Sequence, residues 1–136
     1  RSAVPGNGTL AYINYLIEDY ADEWLTKAMF HYRWSYPADI KKAGQMVPRW
    51  GNSTAEEHLL QEKSRVISEL QISRLSYVGS NSVTAKSIEQ SFIKFLKVFD
   101  KHLQSFAFIL GGRPSSCDFA IFGQLSCMAL FDPTPQ

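Results

Sequence analysis

Residues 111–125 read GGRPSSCDFAIFGQL, and the spacing of two polar residues in this stretch predicts how a helix begins. Two glycines and a proline lead into a run that is almost wholly apolar, and Asp118 stands three residues after Ser115. The start of a helix leaves four backbone N–H groups without intrahelical partners. A serine before the helix and an aspartate at its third position satisfy two of these groups reciprocally, as a capping box. We therefore expect a helix from about Ser116, with Ser115 and Asp118 as its structural capping pair.

The helix behind this cap carries few polar side chains before it ends near Phe131. A helix that is apolar on nearly every side is typically buried in the middle of a domain, so we expect the other helices to enclose this one. Water does not reach a buried helix start, and the chain must then satisfy it internally. Asp118 fits a cap better than a catalytic acid, because both its position and its partner match.

Amphipathic patterns predict further helices upstream. The first begins with Thr9 as a candidate N-cap and keeps apolar residues at steps of three and four for about 25 residues. Ser35, Tyr36 and Pro37 end or kink it, because proline disrupts a helix interior. A shorter helical stretch is expected at residues 38–47, closed by Pro48.

The next helix has two alternative capping boxes at its start. They are Ser53 with Glu56 and Thr54 with Glu57. The third long helix begins near Ser82. No segment of useful length alternates with a period of two, so we expect an all-α fold, an irregular helical bundle in which long helices pack side by side.

The composition is that of one globular domain, which we expect to span residues 1–136. The chain is 45% hydrophobic and 20% charged, and its net charge is +1. The basic residues are scattered, so we expect no nucleic-acid partner. No apolar run approaches the roughly 18 residues that a transmembrane helix needs, so we expect no membrane partner.

The cysteines and histidines argue against a disulfide and a metal site. Cys117 and Cys127, if both lie on the last helix, are about 15 Å apart along its axis, too far for a disulfide. Unpaired cysteines fit a reducing compartment, and we expect a cytoplasmic protein. His31, His58 and His102 lack the close spacing of zinc motifs, so we expect no metal.

GGRPSSCDFAIFGQL resembles the N-capping box and hydrophobic staple in the C-terminal domain of glutathione S-transferases. In that family a glycine-containing turn and then Ser/Thr-x-x-Asp open a central buried helix, and Ser115 and Asp118 match that pair. FIKFLKVFDKHLQSFAFILGG is similar to the preceding helix of the family, and YINYLIEDYADEWLTKAMFHYRW to the helix that lines its active-site cleft. Similar sequences often have alanine at the position of Cys117. The resemblance therefore favours a small packed residue there over a reactive thiol, which the first helical turn would otherwise allow.

The resemblance implies that one face of the first helix borders the pocket for an electrophilic substrate. Tyr12, Tyr20 and Trp24 are the substrate-pocket candidates on that helix, since such side chains offer an apolar wall with a polar tip. Packing in the core or at a subunit interface is the alternative for them. An acidic cluster on the same helix is most simply a solvated face, or else a contact to another subunit or to the glutathione amine. Its members are Glu18, Asp19, Asp22 and Glu23.

The glutathione site of the family lies mainly in an N-terminal thioredoxin-like domain, and residues 1–136 contain no βαβ pattern of that kind. Both ends of the sequence look like cut points, so we expect a fragment whose missing domain holds glutathione as co-substrate. The resemblance implies glutathione conjugation by the whole protein, as a homodimer or other self-associated form. This chain alone would then have no catalytic residue, no cofactor and no activity. Similar helical domains occur in elongation factors and aminoacyl-tRNA synthetase complexes, which makes a noncatalytic protein–protein interaction module the alternative.

Overall fold

The computed structural model describes residues 2–136 and confirms the all-α fold class. Outside its helices, this part of the chain pairs its backbone in one antiparallel bridge, between Phe108 and Gly111. The helical elements in chain order are α1 (Gly8–Asp19), a π-helical turn (Tyr20–Leu25), α2 (Thr26–Ser35), α3 (Pro37–Gly51), α4 (Glu57–Ser73), a 3₁₀ turn (Leu75–Val78), α5 (Ala85–Leu103) and α6 (Ser116–Ala129). Within residues 2–136, no helix combines the length and the apolar character that crossing a bilayer requires.

The first three elements form one continuous helical rod, as the sequence predicts. Its N-cap is Asn7, whose side-chain oxygen accepts from the backbone N–H groups two and three residues on, at 3.0 and 3.1 Å. The prediction of Thr9 as the cap was therefore wrong by two residues. The rod ends at Tyr36, which is extended with φ −109° and ψ 133°. A residue before proline avoids the helical region, so Pro37 sets this boundary.

Helix α3 is longer than predicted, because Pro48 lies inside it and does not close it. Proline removes one backbone hydrogen bond, and this loss is tolerated close to a helix end. Gly44 sits where α3 packs on α4, and a Cβ atom there would overlap the Ser68 hydroxyl. The absence of a side chain at this position therefore lets the two helices approach closely.

Helix α4 starts without either of the capping boxes that the sequence offered. Its N-cap is Glu56, whose side chain makes no capping hydrogen bond to the backbone of the first turn. The predicted pairs of Ser53 with Glu56 and Thr54 with Glu57 are therefore wrong. The segment before α4 is exposed, so water can satisfy these N–H groups without a side chain.

The core lies between the rod, α5 and α6. Its buried members are Ala21, Leu25, Ala28, Tyr32, Phe92, Ile121 and Met128. Helix α6 contributes only one face to it, through contacts with α1, the π-helical turn and α2. Phe119, Phe122 and Leu130 are 61%, 68% and 74% exposed. The prediction of a helix enclosed on all sides was therefore wrong, because no element of residues 2–136 covers this second face.

A buried ion pair fixes the chain after α6. Asp132 is fully buried and accepts from Arg33 on α2, with Nε to Oδ1 at 3.0 Å and Nη2 to Oδ2 at 2.9 Å. The backbone N–H of Thr134 donates to Asp39 on α3 at 2.9 Å. These bonds hold the end of the chain against α2 and α3.

Candidate functional site

The start of α6 is held by hydrogen bonds from three directions, and the first comes from its own cap. The Asp118 carboxylate accepts from the Ser115 backbone N–H at 2.8 Å and from the Ser115 hydroxyl at 2.9 Å, in capping-box geometry. Its other oxygen accepts from the Ile109 N–H at 2.8 Å. One carboxylate therefore ties the helix start to the loop that precedes it. These three accepted bonds give Asp118 a structural role at the helix start.

The second direction is α1, through Asn14. This residue is fully buried, and its side-chain oxygen accepts from the Cys117 N–H at 3.1 Å. Its amide nitrogen donates to the Ser116 hydroxyl at 2.8 Å and to Glu18 at 3.3 Å. Sequence analysis missed Asn14, although a polar residue on the core face of an amphipathic helix is a detectable signal. The third direction is the N-terminal segment, where the Ala3 carbonyl accepts from the Ser116 N–H at 3.1 Å.

The thiol of Cys117 is a packed side chain of this helix start. It is fully buried, and its sulfur lies 3.2 Å from the Ser115 hydroxyl. Burial raises the pKa of the thiol, and the bond with Ser115 offsets only part of that shift. A reactive cysteine needs a lowered pKa and access to solvent, so this geometry favours the packed interpretation.

The π-helical turn brings two of the three pocket candidates together. The Trp24 indole N–H donates to the Ser91 hydroxyl on α5 at 2.9 Å, although the Trp24 side chain is 44% exposed. Burial raises the pKa of the Tyr20 hydroxyl, and the neighbouring Ser91 hydroxyl offsets part of this rise. The Tyr20 ring packs against the Phe95 ring, and the two ring centroids are 5.6 Å apart. Short π-helical segments inside α-helices occur frequently at functional sites, and this one positions the aromatic pair.

Tyr12 does not join that pair. It lies two turns earlier on α1 and is 68% exposed. Tyr20 and Trp24 line a groove of about 440 Å³ together with an aliphatic residue, a lysine and two members of the acidic cluster. These additional residues are Leu16, Lys27, Asp19 and Glu23. Asp19 and Glu23 therefore border the groove, whereas Glu18 is turned toward Asn14.

A second polar cluster, which sequence analysis did not find, links α2 to α5. The two ring nitrogens of buried His31 lie 2.7 Å from the Ser80 hydroxyl and 3.2 Å from the Glu89 carboxylate. The Tyr36 hydroxyl donates to the same carboxylate. A serine–histidine–carboxylate order also occurs in hydrolases. Ser80, however, is buried and its own N–H already donates to the Leu75 carbonyl, so the cluster offers neither access nor an oxyanion donor there.

Among residues 2–136, no three His, Cys, Asp or Glu side chains are close enough to hold a metal ion together. Comparison of the chain with known protein families, curated proteins and solved structures finds no match. The chemistry of the site is therefore the available guide to function. The site combines the capped apolar helix α6 with an aromatic groove on the rod. The rod also supplies Asn14, which caps α6.

Proposed function

We propose that this chain is the helical domain of a glutathione S-transferase-like protein and supplies the apolar-substrate side of its active site. In the proposed reaction, the glutathione thiolate forms a C–S bond to an electrophilic carbon of an acceptor that the helical domain holds, and the bond to the leaving group breaks, so that chloride departs with its electron pair when the acceptor is an aryl chloride. The thiolate would be bound and stabilised by a thioredoxin-like domain of the whole protein. The proposal includes a cytoplasmic location and a homodimeric or otherwise self-associated protein, and no activity for these 136 residues alone.

The observation that carries the proposal is the bond between α1 and the capped start of α6. Asn14 on α1 accepts from the Cys117 N–H, one residue before Asp118 of the capping box. The same rod presents Tyr20 and Trp24 two to three turns further on, beside a groove of about 440 Å³. All of its lining residues belong to the rod, so the groove is an open face of one helix. The cap therefore fixes the helix whose aromatic side chains would contact the acceptor.

The chemistry of the groove suits an uncharged, electron-poor aromatic acceptor. Leu16, Tyr20 and Trp24 provide apolar and aromatic surface, and aromatic rings stack favourably in offset arrangements. The Tyr20 hydroxyl stays protonated at neutral pH, since burial raises its pKa above the ordinary value of 10.0. It can therefore donate to a nitro or carbonyl oxygen of the acceptor.

The test uses the 136-residue chain and the unreactive analogue 1,3-dinitrobenzene. Its addition should shift the indole N–H resonance of Trp24 in a nitrogen–proton NMR spectrum, and Trp24→Phe identifies that resonance. Trp50 is an exposed matched control on α3, and its indole resonance should not move. With glutathione and 1-chloro-2,4-dinitrobenzene, the chain should show no rate above the uncatalysed reaction. Shifts confined to Trp50, or measurable conjugation by this chain, would contradict the proposal.

One observation favours a second candidate, a noncatalytic protein–protein interaction module. Phe119, Phe122 and Leu130 form an exposed apolar face on α6, and no charged residue interrupts it between positions 119 and 131. Exposed contiguous apolar surface of this kind typically marks an interaction site.

Sedimentation equilibrium tests whether α6 is an interaction surface. If it is, the chain self-associates and Phe122→Glu makes it monomeric, whereas Val83→Glu at an exposed loop position changes nothing. A chain that stays monomeric across the concentration range counts against self-association through α6. The coding sequence upstream of Arg1 provides a further test, since a thioredoxin-like domain favours the transferase and a synthetase or elongation-factor domain favours the module.

A further inference from the structure

The π-helical turn borders a second groove, which shares Trp24 and Lys27 with the first. It has a volume of about 490 Å³ and lies between the rod, the 3₁₀ turn and the start of α5. Its walls combine aromatic, aliphatic and hydroxyl side chains with a single cation. The residues concerned are Trp24, Tyr77, Val78, Ile88, Ser76, Thr84, Ser87 and Lys27. We propose that this groove binds a flat apolar anion, an aromatic carboxylate or sulfonate, with its ring against Trp24 and Tyr77 and its charge on Lys27.

The cation in this groove is Lys27, whose surroundings within residues 2–136 are aromatic. The Lys27 ammonium lies 5.9 Å from the centroid of the Trp24 ring. Among residues 2–136, no carboxylate forms an ion pair with it. Glu23, one turn before Lys27, lines the first groove with it but forms no ion pair with it, and Glu89 accepts from Tyr36 and His31. An anion in the second groove would therefore meet a cation that is already positioned beside an aromatic wall.

The rim of the groove is built in a fixed conformation. Gly79 has φ +74°, a left-handed value that turns the chain after the 3₁₀ turn and that other residues rarely adopt. The Asn81 side chain accepts from the N–H groups of Val83 and Thr84 at 2.9 and 3.1 Å. Ser80 is tied to the core through its hydroxyl, 2.7 Å from a ring nitrogen of His31. A preorganised rim reduces the ordering cost of binding, so the groove suits a rigid small ligand.

The wall and the hydroxyl groups complete the match to such an anion. The Trp24 ring is held by its bond to Ser91, so its face is already oriented for stacking. The side-chain hydroxyls of Ser76 and Ser87 have no hydrogen-bond partner in the described part of the chain, and each can donate to a carboxylate oxygen. This groove requires neither glutathione nor a second domain, so the inference is independent of the proposed function.

The test compares two probes of nearly equal shape, 1-naphthoate and the uncharged 1-naphthalenemethanol, by NMR titration of the 136-residue chain. A charge contact at a partly exposed site contributes up to about 1 kcal/mol, so Lys27→Gln should weaken 1-naphthoate binding roughly fivefold and leave 1-naphthalenemethanol unchanged. Lys63→Gln is the matched control, because Lys63 lines another apolar groove of about 420 Å³ beside Val66 and Ile67. It should alter neither affinity.

Three results would overturn the inference. They are equal affinities of the wild-type chain for the two probes, an unchanged 1-naphthoate affinity in Lys27→Gln, and a loss of binding in Lys63→Gln instead. Lys27 is partly exposed, and an unchanged thermal unfolding curve verifies that Lys27→Gln is folded. As a second readout, Tyr77→Leu removes one wall without touching the charge, and it should weaken both probes by the same factor.

Discussion

The side-chain oxygen of Asn14 accepts a hydrogen bond from the backbone N–H of Cys117 at 3.1 Å, across 103 residues of sequence. This bond joins the middle of α1 to the first turn of α6, and it supplements the local capping box. A fully buried amide that bonds three groups at once is costly to disturb, because each group would lose its partner without gaining water. The junction of these two helices therefore depends on both a local pair and a distant side chain.

Asn14→Ala should lower the free energy of unfolding by about 1–3 kcal/mol, since it leaves the Cys117 N–H and the Ser116 hydroxyl buried without their partner. Urea unfolding followed by circular dichroism measures the change. Asn52→Ala is the control, because Asn52 is exposed before α4 and should stay within about 0.5 kcal/mol of the wild type. Equal midpoints for the two variants would show that Asn14 does not cap α6.

Asp118→Ala should lower stability by about 1–2 kcal/mol, through loss of the cap and of the bond to the Ile109 N–H. Asp100→Ala provides the comparison, because Asp100 is exposed on α5 and its side chain bonds only to Gln104 among residues 2–136. Binding of 1,3-dinitrobenzene per folded molecule should be unchanged in Asp118→Ala. A variant with normal stability and lost ligand binding would contradict the structural role of this carboxylate.

The contrast between Asp118 and Asn14 shows what the sequence could predict. Asp118 and its partner Ser115 are three residues apart, and their spacing has a direct meaning in helix geometry. The partners of Asn14 and His31 lie about 50 to 100 residues away, and no local pattern specifies which buried polar groups will meet. The α6 prediction failed for a related reason. An apolar helix sequence shows that burial of its faces would be favourable. It does not show whether another element of the chain covers them.

The end of α3 and the π-helical turn are two further features that the sequence did not predict. Proline propensity alone placed a helix end at Pro48, but packing of α3 on α4 through Gly44 sustains the helix through it. The π-helical turn at residues 20–25 widens the rod by one residue without changing the local apolar pattern. Tyr20 and Trp24 are one step of four apart, so helical spacing alone places both on one groove, but it does not show that Tyr12 lies outside that groove.

Substitutions of Arg33 and Asp132, which form a buried ion pair, should have strongly non-additive effects on the free energy of unfolding. Burial raises the pKa of the Asp132 carboxyl, and its bond to Arg33 offsets only part of that shift. Arg33→Met leaves the carboxylate unpaired and should cost about 3–5 kcal/mol at pH 7. The double variant Arg33→Met with Asp132→Leu should recover much of this loss, since it removes both charges. A double-mutant cycle in urea measures the coupling, and additive single effects would show that the pair does not act as a unit.

The two cysteines should differ sharply in reactivity. Cys127 is exposed, whereas Cys117 is fully buried and burial raises its pKa. An aromatic disulfide reagent should therefore modify about one thiol per chain in the native state at about pH 7.5, and about two per chain once roughly 6 M guanidinium has unfolded it. Cys127→Ser should abolish the native reaction. Rapid modification of Cys117 in that variant would contradict its packed environment.

The bond between Tyr36 and Glu89 should make stability depend on pH at both ends of the range. The hydrogen bond to Glu89, followed by burial, raises the pKa of Tyr36 from 10.0 to about 12. A group whose pKa is higher in the folded state contributes its full stabilisation below the unfolded value, and loses it as the pH rises through the folded value. The contribution of Tyr36 is therefore complete below pH 10.0 and lost by about pH 12. At the acid end, the same bond lowers the pKa of Glu89, so its stabilisation is present at neutral pH and lost as the pH falls through that lowered value.

Urea unfolding midpoints of the wild type and Tyr36→Phe between pH 7 and pH 12 test the alkaline half of this prediction. The wild type should be the more stable protein at pH 7, and the gap should begin to close above pH 10.0 because the wild-type phenol then ionises on unfolding. Tyr77→Phe is the matched control, since Tyr77 is an exposed tyrosine whose hydroxyl has no hydrogen-bond partner among residues 2–136, and the midpoints of this variant should follow the wild type at every pH. Tyr32 remains in every variant, so its own raised pKa cancels from the comparison. A gap between wild type and Tyr36→Phe that stayed constant from pH 7 to pH 12 would mean that Tyr36 and Glu89 are not coupled in the folded chain.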